Sequence, residues 1–185
     1  AYKSARTLLS DKILKVNADT FTEVALGVFR FQATYNPLYK EFLSLINRPV
    51  DSIRRLEDIP FLPIQFFKNH KIQTGNWSVT RTFTSSGTTG QITSRLLLHD
   101  DHWYYQICKI GFEHFYGPLN QYCILALLPA YLERQNSSLV FMADYFIKQS
   151  PFKESGFFLY DHDELLSRIK SCRQKSNPTI LLGVS

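Results

Sequence analysis

Apolar positions in the first 47 residues recur at helical spacing. Either Ser10-Asp11 caps a short segment or Leu8, Leu9, Ile13 and Leu14 make one stripe across it, and Phe21, Val24, Ala25, Val28, Phe29 and Gln32 make a second stripe behind Asp19-Thr20. Tyr39, Phe42, Leu43 and Ile46 repeat the pattern up to Asn47. Recurrence at i, i+3, i+4 and i+7 is the mark of helices with one buried face. A residue before proline avoids helical backbone, so Asn36-Pro37 predicts a break. Residues 1–47 therefore read as a helical cap without chemistry of its own. Pro49, Pro60 and Pro63 make the next stretch a connector, and Pro63 suits the first turn of a short helix through His70. Phe61, Phe66 and Phe67 read there as core.

The period then changes. Trp77 to Phe83 and Ser94 to His99 are rich in β-branched and aromatic or apolar residues and predict two strands. Asp100-Asp101 supplies caps for a helix carrying Trp103, Ile107, Ile110, Gly111 and Phe115, which Gly117-Pro118 ends. Tyr122 to Leu128 is a continuous apolar run, as in a parallel strand buried on both faces, and Pro129 stops it. Ser137-Ser138 caps a helix with Val140, Phe141, Tyr145 and Ile147. Gly156 to Tyr160 predicts a short strand. Asp161, with Glu164 in the capping-box position, opens a helix burying Leu165, Leu166, Ile169 and Cys172. Asn177-Pro178 leads into a last strand. Helices followed by alternating strands and helices predict an α/β fold: an N-terminal helical cap over 1–47, then an open sheet flanked by helices over 48–185.

Composition narrows the classes. The chain has 185 residues, 44% of them hydrophobic and 20% charged, which suits one globular domain. The net charge of +5 is scattered and too thin for a nucleic-acid footprint. Cys108, Cys123 and Cys172 have no metal-ligand spacing, and their odd number argues against a disulfide framework, so a cytoplasmic setting is expected. No apolar run approaches the ~18 residues of a membrane span. Aromatic residues reach 15%, enough for an aromatic core or an apolar acyl-binding surface.

Candidate chemistry concentrates between the first two strands. Of the seven residues from Thr84 to Gly90, five carry hydroxyls and two are glycines. Such a loop can wrap an anion, because glycine allows close approach of backbone N–H groups and the hydroxyls add donors. It lacks the lysine of a Walker A loop and the spacing of a dinucleotide fingerprint. A flexible hairpin tip is the bland alternative. His70 is a second candidate, for substrate contact or a structural role. Tyr131 and Arg134 are candidates because they follow the apolar strand, where open α/β sheets take ligands. Arg134 can pair with a carboxylate or phosphate, or with Glu133.

The string Ser85-Ser86-Gly87-Thr88-Thr89-Gly90 resembles the phosphate-binding loop of the adenylate-forming superfamily. The upstream stretch Asp58 to His70 resembles that of LuxE-type acyl-protein synthetases, as does Leu125 to Arg134. The resemblance runs from about Leu56 to Ser185. Most superfamily members continue the loop with Pro-Lys-Gly, where this chain has Gln91-Ile92-Thr93-Ser94.

The resemblance implies part of an adenylate-forming N-terminal domain. Ser85, Ser86, Gly87, Thr88, Thr89 and Gly90 would hold ATP, with Mg²⁺ offsetting charge and no metal ligands assigned to the protein. The substrate would be a carboxylic acid, a fatty acid by analogy, and the acceptor a thiol on a protein partner. Tyr131 would border the carboxylate. It also implies that adenosine-binding residues and the acyl-accepting cysteine lie beyond Ser185, so this portion alone is expected to be inactive. The alternatives are an acyl-CoA or aryl-CoA ligase, and a non-catalytic nucleotide-binding α/β module.

Overall fold

The computed structural model describes residues 2–85, 92–129 and 136–184. The fold is mixed α/β, with seven α-helices, an antiparallel strand pair and a three-stranded parallel sheet among the described residues. The chain divides into two units, residues 1–82 with 87–99 and residues 83–86 with 100–185. No helix among the described residues is long and apolar enough to cross a membrane.

In the first unit the predicted helices form as α1 (Tyr2–Leu14), α2 (Phe21–Tyr35) and α3 (Pro37–Leu45). Leu26, Phe29 and Ala33 of α2 meet Tyr39 and Leu43 of α3 and Ile53 of the connector in one core. The Asn36-Pro37 break is a capped corner. Pro37 opens α3, and the buried Asn36 accepts a hydrogen bond from the Tyr39 backbone N–H at 3.2 Å. The Tyr39 hydroxyl donates to the Pro60 carbonyl at 2.6 Å, tying the connector to α3. Phe61, expected in the core, is 81% exposed. Leu56, Ile59 and Leu62 fill that side of the core instead.

No residue of α1 is fully buried, and Tyr2 anchors its start. The Tyr2 ring stacks on Phe31 at 5.6 Å and meets Tyr35 edge-on at 5.1 Å, and its hydroxyl donates to the Thr74 carbonyl at 2.7 Å. Gly75 lies under that ring with φ +78, and a Cβ there would overlap it. Gly75→Ala is therefore expected to cost about 2–4 kcal/mol, summing left-handed strain and overpacking. Gly117, with φ +84 and open space where a Cβ would sit, isolates the strain part. Gly117→Ala should cost about 1–2 kcal/mol. Chemical denaturation of both variants checks the difference.

The strand pair is β1 (Arg81–Thr84) with β2 (Arg95–Leu98). β1 begins later than the Trp77 the sequence suggested. The Trp77 indole N–H donates to the Thr74 carbonyl at 2.8 Å, and its ring meets His99 edge-on at 5.4 Å. These side-chain ties hold the approach in a turn-rich path, and Thr80 N–H makes the first bond across the pair, to Leu98 at 2.9 Å. The predicted short helix forms as α4 (Phe66–Asn69), after a turn built on Pro63.

In the second unit β3 (Cys123–Leu127) is central. It pairs in parallel with β4 (Gly156–Phe157) on one side and β5 (Thr179–Gly183) on the other. Cys123 to Ala126 are fully buried, as the apolar run requires. Cys123 and Leu125 pack with Leu165 and Cys172 of α7 (His162–Gln174). Ala126 packs with Val140 and Ala143 of α6 (Ser138–Gln149), and Ile124 packs with Phe146 of the same helix. Alternate β3 residues thus serve two different helices, the period-2 logic of a strand covered on both faces. β4 stops short of Tyr160: Phe158 turns into the core and Asp161 N–H closes a turn on its carbonyl at 3.4 Å.

Three caps form as predicted: Asp100 accepts from His102 N–H at 2.8 Å, Ser137 from Val140 N–H at 3.3 Å and Asp161 from Glu164 N–H at 2.9 Å. Glu164 does not complete a capping box, because its carboxylate pairs with Arg168 at 2.5 Å one turn on. Leu166 is also exposed, so the buried stripe of α7 is Leu165, Ile169 and Cys172. The predicted helix after Asp100 forms as α5 (Asp101–Tyr116). Ile107, Ile110 and Phe115 are exposed, whereas Tyr105 stacks on Phe141 at 4.7 Å and Phe112 meets Phe146 at 5.1 Å.

Glu154 is buried beside Lys175 at 2.6 Å and Ser171 at 3.1 Å. The hydrogen bond from Lys175 lowers its pKa from an ordinary 4.5 to about 2. A depressed folded pKa means the carboxylate stabilises the fold fully above the unfolded value and loses that contribution as pH falls from about 4.5 toward 2. Glu154→Gln should flatten the acid limb of the stability profile across that window. An unchanged limb in urea titrations at stepped pH would contradict this.

Candidate functional site

The two strands predicted to flank the hydroxyl-rich loop are paired, so the loop is a connection between adjacent strands, as the sequence indicated. Ser85 follows β1 directly and is exposed. Ser86, Gly87, Thr88, Thr89 and Gly90 lie outside the described residues, as do Tyr131 and Arg134.

The bases of both candidate segments are nevertheless fixed. Thr84, the residue before Ser85, donates its N–H to the Asn136 carbonyl at 3.0 Å. Asn136 follows the 131–135 segment, and Leu128, near the segment's other end, is buried at the carboxyl end of β3. One backbone hydrogen bond therefore joins the start of the loop to the end of the turn after the central strand. Phe83 secures this corner from below, with ring centroids 5.0 Å from Tyr104 and 5.4 Å from Phe141.

His70 sits in the first unit at the end of α4. Its ring stacks on Phe66 at 5.0 Å and 27°, and its side chain is exposed. A recess of about 200 Å³ opens beside it, lined by His70, Lys71, Ile72, Thr82, Arg95 and Leu97. Thr82 lies on β1 and Arg95 on β2, so the recess is at the stem of the strand pair that carries the loop. Three of its six lining residues are basic and none is acidic. Neither Lys71 nor Arg95 makes an ion pair among the described residues. Such a recess favours an anion.

Sequence reasoning missed Lys71 and Arg95. Lys71 adjoins a named candidate, and Arg95 opens a predicted strand just past the loop. What the sequence does not show is that α4 packs beside β2, which gathers all three.

The thiols are placed for packing. Cys123 and Cys172 are buried with their sulfurs 3.4 Å apart, and burial pushes the Cys123 thiol up to about 12. Burial also raises Cys108. A thiol held protonated and out of water is a poor acyl acceptor. Among the described residues no three His, Cys, Asp or Glu side chains converge as a metal site. No family model, curated protein or solved structure matches the chain.

Proposed function

We propose that this chain is part of an ATP-dependent carboxylate-activating ligase of the LuxE acyl-protein synthetase type. The reading is supported above all by the Thr84–Asn136 hydrogen bond, which roots the phosphate-loop string and the Tyr131–Arg134 segment at neighbouring points. ATP supplies an electrophilic α-phosphorus. A carboxylate oxygen bonds to it as the bond to the bridging oxygen breaks, giving an acyl-adenylate and pyrophosphate. A thiol sulfur outside the described residues then bonds to the acyl carbon as its bond to the AMP oxygen breaks, releasing AMP and the thiol proton, consistent with the buried state of Cys123 and Cys172.

Each group has a task in this reading. Ser85 to Gly90 donate backbone N–H and hydroxyl hydrogen bonds to the β- and γ-phosphates. Mg²⁺ accompanies the nucleotide on its phosphate oxygens, and we assign it no protein ligand. The loop lacks the lysine common in the superfamily, and the His70, Lys71 and Arg95 recess provides positive charge at its stem. Tyr131 borders the carboxylate and Arg134 pairs with anionic oxygen. The three cysteines are free, which suits a reducing cytoplasm.

Arg95→Ala is expected to raise KM for ATP by about tenfold in carboxylate-dependent exchange, the loss of one partly screened charge contact. His70→Ala should raise it less, because its ring already stacks on Phe66. Unchanged KM in both variants would remove the recess from the site. An acyl-CoA ligase shares this chemistry and differs in the acceptor, so assays with free CoA against a partner protein separate the two. Nucleotide binding without pyrophosphate release would favour the non-catalytic module.

A further inference from the structure

Cys123 and Cys172 have no part in carboxylate activation, and both lie in the second unit. Cys123 opens β3 at 0% exposure, and Cys172 lies in the last turn of α7 at 1%. They share a core cluster with Leu125, Phe158 and Leu165. A disulfide bond is about 2.05 Å long, so bonding draws sulfurs that stand 3.4 Å apart together by about 1.4 Å. The third thiol, Cys108, is half-buried on α5 beside Tyr104.

A buried thiol is inert while water and oxidant are kept from it, so the chemistry depends on which sulfur can be uncovered. Cys123 starts a strand paired on both sides. Cys172 is the third residue from the end of α7, and helix ends open locally at the least cost. One side chain fastens that end. The buried Glu154, in the turn before β4, accepts a hydrogen bond from the Ser171 hydroxyl at 3.1 Å and pairs with Lys175 at 2.6 Å. Ser171 and Lys175 bracket Cys172, so release of Glu154 frees the turn that carries its sulfur. At Cys123 the Ser155 hydroxyl donates to the sulfur at 3.6 Å, a hydrogen bond that helps it bear negative charge as it attacks.

We propose that Cys123 and Cys172 are an oxidisable pair, which hydrogen peroxide joins into a disulfide fastening α7 to β3, with Glu154 as the latch that controls access. The Cys172 sulfur bonds to one peroxide oxygen as the O–O bond breaks, and the other oxygen leaves as water with the thiol proton. The Cys123 sulfur then bonds to the Cys172 sulfur as the S–O bond of the sulfenic acid breaks, and the hydroxyl leaves as a second water with the Cys123 proton. Two electrons pass from the two thiols to one peroxide. The linked positions are 49 residues apart, so the bond removes a long loop's closure entropy from the unfolded chain. The inference stands apart from carboxylate activation and does not depend on it.

Peroxide treatment of the folded 185-residue chain, followed by alkylation in denaturant and mass analysis, tests it. The chain should lose two hydrogens, its free thiols should fall from three to one, and peptide mapping should show Cys123 linked to Cys172 with Cys108 free. Cys108→Ser should leave the link intact, and Cys123→Ser or Cys172→Ser should abolish it. Glu154→Gln should speed linking about tenfold, the weight of one charge-assisted hydrogen bond. The linked chain should melt at least about 5 °C higher, and dithiothreitol should restore the parent transition. Three thiols surviving in the folded chain while the urea-unfolded chain oxidises would overturn the inference. So would a link through Cys108, or sulfinic acid on Cys172 without a link. An unchanged rate in Glu154→Gln would overturn the latch, and a lower melting transition on linking would overturn the fastening.

Discussion

In the full gene product, Gly87→Val is expected to abolish carboxylate-dependent ATP–pyrophosphate exchange while leaving the melting transition near that of the parent. Gly87 lies inside the string that resembles a phosphate loop, where backbone N–H groups must come within hydrogen-bond distance of phosphate oxygens. A β-branched side chain restricts the backbone conformations open to that position and adds bulk where the ligand must approach. Losing preorganised donors to transferring phosphates costs catalysis by orders of magnitude, typically about 10²–10³-fold for a single donor. The hydrophobic clusters of the described residues form among α2, α3 and the connector and around β3, α6 and α7, so folding should be spared. Retained exchange in this variant would remove the loop from the mechanism.

Phe141→Ala carries the largest expected stability loss, about 3–5 kcal/mol. Phe141 is 2% exposed, and its ring lies 5.4 Å from Phe83, 5.8 Å from Tyr104 and 4.7 Å from Tyr105. Truncation removes the common partner of all three rings, and α5 and β1 cannot both collapse into the space. Since domains are stable by only about 5–15 kcal/mol, the variant should sit near the edge of folding. The same ring supports Phe83, and Thr84 beside it makes the bond to Asn136, so the proposed nucleotide binding should weaken as well. Urea denaturation monitored by circular dichroism gives the stability, and a loss under about 1 kcal/mol would contradict the packing argument.

How far the sequence foretold this fold depends on where the deciding contacts lie. The run from Tyr122 to Leu128 announced a strand buried on both faces, because parallel pairing and two covering helices leave no polar side. Asp100, Ser137 and Asp161 were legible as caps, since a cap is a contact two or three residues long. The buried face of α5 was not. Both of its sides are apolar, and the choice fell to Tyr105 and Phe112, whose ring partners lie on α6. Phe61 looked like core by type, yet Leu56, Ile59 and Leu62 fill the place beside α2 and α3.

The candidate site divides the same way. His70 was visible as a local motif, whereas Lys71 and Arg95 join it only through the packing of α4 beside β2. The tie between Thr84 and Asn136 joins distant positions and has no local signature.

Carboxylate activation itself is tested most directly by ATP–pyrophosphate exchange, with fatty-acid and aromatic-acid panels, on the full gene product beside this 185-residue chain. The account predicts exchange by the full product that depends on a fatty acid, and silence from the short chain. No exchange with any carboxylate from either, while ATP still binds, would contradict it and leave a nucleotide-binding module in its place.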